Sequence, residues 1–142
     1  MTTDAAGTRK LMRMVWCRRL VADLRQNAEI DAIIPPDYVA VQCSYFEKSQ
    51  DRNWLVPIHQ DLSIPVAARV EHAELSGWSE KEGELFVQPP VSVLERMVAL
   101  RLHIDPCGME DGALSVVPGS HALGRLSTEA AIALRSERGA VV

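Results

Sequence analysis

Pro35-Pro36 divides this chain into two textures. Neither residue has an N–H to donate, and each pushes the residue before it towards an extended conformation, so any helix upstream ends by Ile34. Ahead of the pair, Met14, Cys17, Val21 and Leu24 recur at steps of three and four, which predicts a helix over Lys10–Gln26. Arg13, Arg18, Arg19 and Arg25 interrupt the apolar positions and read as its solvated face.

Beyond the prolines the pattern shortens to a period of two. Tyr38–Phe46, rich in Val, Tyr and Phe, reads as a strand, Lys48–Asn53 as a polar turn, and Trp54–Val66 as a second extended stretch. Pro57 and Pro65 confine that stretch to an edge or an irregular position. Glu71–Glu84, charged and carrying Gly77 and Gly83, reads as a surface loop with a lid role, Trp78 anchoring it to the body. Val98–Asp105 alternates strictly, with Val98, Leu100, Leu102 and Ile104 on one face and Arg101, His103 and Asp105 on the other. Pro106–Gly112 reads as a turn, Ala113–Val117 as a short strand, Pro118–His121 as a turn. Ser127 reads as the N-cap of a final helix, with Glu129 in its first turn.

The expected architecture is mainly β with flanking helices: a helical preface over 1–33, a β core over 34–126 and a helical tail over 127–142, in one domain. Four or five strands fall short of the eight that close a jelly roll. A 47% hydrophobic, 24% charged composition suits a globular chain, and a net charge of −4 gives no reason to expect a nucleic-acid or membrane surface. No apolar run reaches spanning length and the first ten residues lack a signal-peptide core. Cys17, Cys43 and Cys107 are scattered, with no CxxC, and read as buried or half-buried free thiols in a reducing compartment; the expected location is cytoplasmic.

The chemistry concentrates at His59-x-Asp61. On a strand these two side chains share a face while Gln60 turns away. An imidazole and a carboxylate side by side make two-thirds of the facial triad that holds non-haem Fe(II) and leaves the opposite side open. By itself the pair is a weak signal and reads more readily as a strand-end histidine against an acid.

Three blocks extend the signal: YFEKSQDRNWLVPIHQDLSIPV, GWSEKEGELFVQPPVSVLERMVALRLHID and EDGALSVVPGSHALGRLS. Together, in this order over about Ile34–Leu126, they resemble the phytanoyl-CoA dioxygenase family of Fe(II)/2-oxoglutarate oxygenases, its short bacterial members above all. The resemblance implies a double-stranded β-helix (a cupin-like jelly roll), with His59 and Asp61 as iron ligands. It also makes Lys48 and Arg101 candidate contacts for 2-oxoglutarate, although a solvated turn lysine and an exposed strand arginine are equally good readings of those residues. Related halogenases replace the acid with a small residue, so Asp61 argues against halogenation. The implied activity is oxidation of a small organic substrate by O₂, coupled to decarboxylation of 2-oxoglutarate to succinate. A non-catalytic β-sandwich binding module derived from the family is the competing reading.

The resemblance also requires a second histidine downstream, followed about ten residues later by an arginine for the distal carboxylate of 2-oxoglutarate. After Asp61 only His72, His103 and His121 are present, in the charged loop, on the Arg101 face and in the PGSH turn respectively. None is assigned as third ligand. The sequence thus looks like the N-terminal two-thirds of an oxygenase. The expectation is a chain that is weakly active or inactive alone. Its open sheet edges should pair with further copies or with a complementing C-terminal chain.

Overall fold

A computed structural model describes residues 7–47, 56–108 and 111–142. The described residues fall into two compact units, one of residues 7–47 with 63–88, the other of residues 56–62 with those of 89–142.

In the first unit, strand β1 (Gly7–Thr8) leads into a 3-10 turn at Leu11–Arg13 and then helix α1 (Val15–Leu24). The expected N-terminal helix is therefore broken at Met14, whose backbone is extended. Arg18 explains how the break is tolerated: its Nη1 donates to the carbonyls of Met12 and Arg13 at 3.0 and 2.9 Å, groups the interrupted helix would otherwise leave bare. A second arginine does the same downstream. After the one-turn helix α2 (Ala28–Asp31), Arg25 donates to the carbonyls of Ile34 and Pro35 at 3.2 and 3.0 Å. Arg18 is exposed, as the sequence suggests, and Arg25 half-buried, but both hold backbone.

The expected strand Tyr38–Phe46 shrinks to β2 (Tyr45–Phe46), antiparallel to β1, with an isolated bridge from Cys43 to Lys10. The polar turn expected at Lys48–Asn53, and Trp54, lie outside the described residues. Strand β3 (Ile64–Val66) contains Pro65 and forms one edge of a three-stranded antiparallel sheet, where a residue without an N–H is expected.

The charged loop expected over Glu71–Glu84 is a hairpin instead. Strand β4 (Ser76–Lys81), bulged between Ser76 and Ser79, pairs with β5 (Glu84–Gln88) through the two-residue connection Glu82-Gly83. Both connecting residues have positive φ, +54° and +73°, the signature of a type I′ turn. Glycine takes that conformation freely; glutamate does so at a cost of roughly 1–2 kcal/mol. What offsets the cost lies far away in the chain. The Glu82 carboxylate accepts from the Thr8 hydroxyl at 2.9 Å and from the Arg9 N–H and guanidinium, each at 3.1 Å. These donors, the Arg9 N–H first, hold the Glu82 carboxyl below the ordinary carboxylate range. Arg13 pairs with Glu84 on the opposite side of the turn.

Strand β5 runs between β3 and β4, in the order β3-β5-β4. Phe86 and Val87, neighbours that point to opposite faces of β5, are 3% and 1% exposed, so the central strand is covered on both sides. Lys81 lies with Nζ 4.8 Å from the Phe86 ring centroid and donates to Ser63 at 3.3 Å, spanning the sheet from β4 towards β3. Trp78, the expected loop anchor, sits half-buried on β4 with the Arg69 guanidinium 5.2 Å from its ring centroid. Cys17 is wholly buried and Cys43 half-buried. Burial and contact with the Cys17 thiol push the Cys43 thiol up to about 11, so the Cys43 sulfur is not poised for chemistry at neutral pH.

The second unit carries fewer regular elements: helix α3 (Val91–Leu94), a 3-10 turn at Ser120–Leu123 and helix α4 (Thr128–Arg138). The alternating stretch Val98–Asp105 joins no ladder among the described residues, and its apolar positions are exposed, Ile104 by 74%. Ala113–Val117 contributes one bridge, Val116 to Val141. The PGSH turn is present: the Ser120 N–H returns to the Val117 carbonyl at 3.2 Å around Pro118-Gly119. So is the Ser127 cap, its Oγ accepting from the Ala130 N–H at 3.2 Å. The architecture is therefore mixed helix and sheet with two small antiparallel sheets, compatible with a β-rich chain. No described helix is long and apolar enough to cross a membrane.

Candidate functional site

His59 and Asp61 lie in a segment without assigned secondary structure just before β3, rather than on a strand as expected. The two side chains nonetheless converge: His59 Nε2 is 3.8 Å from Asp61 Oδ1. His59 is held from behind. Its Nδ1 is 2.8 Å from the Pro57 carbonyl oxygen, a group that can only accept, so Nδ1 carries the proton. In the neutral ring the lone pair is then on Nε2, the nitrogen that faces the acid. A ligating histidine is commonly oriented in this way by a backbone carbonyl.

The electrostatics of that arrangement are specific. A carboxylate oxygen and an imidazole lone pair 3.8 Å apart are both acceptors, and a cation placed between them would be shared by the two. Two adjacent ligands held about 2.1 Å from a first-row divalent ion are about 3 Å apart. Asp61 is fully exposed, so a small side-chain rotation closes the difference without disturbing packing. His59 is about half exposed, leaving the other side of the pair to solvent. The donor set and its one-sided presentation fit Fe(II).

Among the described residues no third His, Cys, Asp or Glu joins the pair. Arg101 and His103 lie on the exposed alternating segment, and His121 is exposed in the 3-10 turn after Pro118-Gly119. His72 makes only local contacts, its Nδ1 accepting from the Glu74 N–H at 3.3 Å. Lys48 lies outside the described residues.

One residue that the sequence pattern passes over is central to the segment. Gln60, turned away from the pair as the alternation requires, uses both ends of its amide: Nε2 donates to the Gly124 carbonyl and Oε1 accepts from the Leu126 N–H, each at 2.8 Å. Nothing in a lone glutamine between two ligand-type residues signals a partner 64 residues away.

The family model of phytanoyl-CoA dioxygenase (PhyH) matches residues 3–137. The chain belongs to that family, and at family level the membership points to iron-dependent oxygenase chemistry. Neither the curated proteins nor the solved structures yield a match.

Proposed function

We propose that this protein is a non-haem Fe(II)/2-oxoglutarate-dependent oxygenase acting on a small organic substrate, with His59 and Asp61 as its protein iron ligands. The observation that carries the reading is the facing pair of acceptors, imidazole Nε2 and carboxylate Oδ1, with the imidazole tautomer set by Pro57. Family membership over nearly the whole chain supports the reaction class, and with it a double-stranded β-helix as the fold to which these elements belong.

Bound iron would supply activation of O₂ against 2-oxoglutarate. The chain's own part is to present one neutral nitrogen and one anionic oxygen from a single side. In its neutral form His59 presents a bare Nε2, because Nδ1 keeps its hydrogen on the Pro57 carbonyl. Asp61 contributes the negative charge that favours a divalent ion over a monovalent one. An acid at this position also supports hydroxylation over halogenation. Arg101 is proposed as a partner for a 2-oxoglutarate carboxylate, since a guanidinium matches that group with two parallel N–H donors; Lys48 is proposed as a second such contact. O₂ and the small substrate are the partners the reading requires. Self-association through open strand edges, or pairing with a complementing chain, completes it.

Anaerobic titration of the purified protein with Fe(II) and 2-oxoglutarate tests the proposal. A visible charge-transfer band should appear with the wild type and be lost in Asp61→Ala, with Fe(II) affinity down by about tenfold or more. An unchanged affinity in Asp61→Ala removes Asp61 from the ligand set. No band in the wild type favours the binding-module reading.

A further inference from the structure

We propose that Gln60 is a positioning residue for the metal pair, fixing the backbone from which His59 and Asp61 project by clasping the chain at Gly124 and Leu126. The proposal rests on the reading of His59 and Asp61 as metal ligands and deepens it.

Both arms of the Gln60 amide are engaged, and on complementary groups. The carbonyl of Gly124 can only accept and the N–H of Leu126 can only donate, so a flipped amide would meet a mismatch at both ends. The side chain thereby pairs with the backbone two residues apart, as a neighbouring strand would, in a segment that belongs to no sheet. Gly124 makes this possible. Its φ of +64° and ψ of −151° form a conformation essentially reserved for glycine, and that conformation turns its carbonyl towards Gln60.

The consequence falls on the residues either side. Burial alternates across the three residues: Gln60 is half-buried while His59 and Asp61 are exposed and converge on one another, so pinning residue 60 inward presents 59 and 61 together on the outside. Asp61 has no other hydrogen-bond partner among the described residues, so its location is set by backbone alone. His59 has the Pro57 carbonyl, a contact internal to the same segment. The Gln60 clasp ties that segment by two hydrogen bonds to a distant part of its unit.

The test compares the wild type with Gln60→Met, which keeps length and loses both hydrogen bonds, and with Asp61→Ala. Co(II) affinity and its visible d–d spectrum are measured on the full chain, and the His59 ring nitrogens are followed by NMR without metal. In Gln60→Met, Co(II) binding is expected to weaken by about 10- to 100-fold. Its d–d band should shift, and the His59 resonances should move away from a pure Nδ1–H tautomer. Affinity within twofold of wild type, with unchanged band and ring shifts, overturns the positioning role. If wild type and Asp61→Ala bind Co(II) alike, the metal reading fails separately, and the ring shifts of the metal-free variant still decide the role of Gln60. Should Gln60→Met not fold, Gln60→Glu retains size and the acceptor for Leu126 while removing the donor to Gly124. It is judged by the same measurements.

Discussion

Two stretches of this chain invite opposite expectations and reverse them. Val98–Asp105 alternates without a fault and forms no ladder among the described residues; Glu71–Glu84 reads as a charged loop, yet from Ser76 on it forms, with the residues to Gln88, a hairpin that supplies the central strand of the three-stranded sheet. Alternation says which residues would share a face if a strand existed. It does not supply the neighbour that turns an extended segment into one. The hairpin has its neighbour built in, two residues away across Glu82-Gly83, and a third strand beside it. Its central strand is therefore buried on both faces, while Leu100 and Leu102 remain more than half exposed.

This contrast breaks most sharply at Phe86. Phe86→Ala should cost about 3–5 kcal/mol in denaturant unfolding, because it removes an almost fully buried ring from a sheet with few other buried residues. A cost below about 1 kcal/mol would mean that the hairpin is not the core of its unit. A smaller effect is expected for Glu82→Gln, and it carries a pH signature. The folded Glu82 carboxyl is held below its ordinary range, so its contribution is present at neutral pH and is lost as pH falls through the folded value. The stability gap between wild type and Glu82→Gln should accordingly close in acid, as measured by thermal melts across pH 3–7 (roughly the carboxylate window). Smallest of all, Leu102→Ser should change monomer stability by no more than about 0.5 kcal/mol. A larger, concentration-dependent loss would show that the alternating segment is covered by another copy in solution.

How much was legible in advance depends on how local each cause is. Ser127 caps its helix through a bond three residues along, Pro118-Gly119 closes its turn within four, and Pro65 marks an edge by its own missing N–H; all three follow from sequence. Met14 was hidden because its break in the N-terminal helix is secured by Arg18, whose spacing reads equally well as a solvated face. The hairpin was hidden because glutamate is a poor residue for positive φ, and the bonds that hold Glu82 there come from Thr8 and Arg9. At the site the same division applies. The convergence of His59 and Asp61 is a matter of two residues, whereas the Gln60 clasp reaches to Gly124 and Leu126.

The bond from Glu82 to the Arg9 backbone N–H spans 73 residues, and this sets an order of events during synthesis. At roughly 5–20 residues per second, Thr8 and Arg9 leave the ribosome several seconds before their partner does. A hairpin closes in microseconds. The bonds from Thr8 and Arg9 to the Glu82 carboxylate therefore wait until the distant turn has emerged and closed, whereas β2 leaves the ribosome earlier and can meet β1 first.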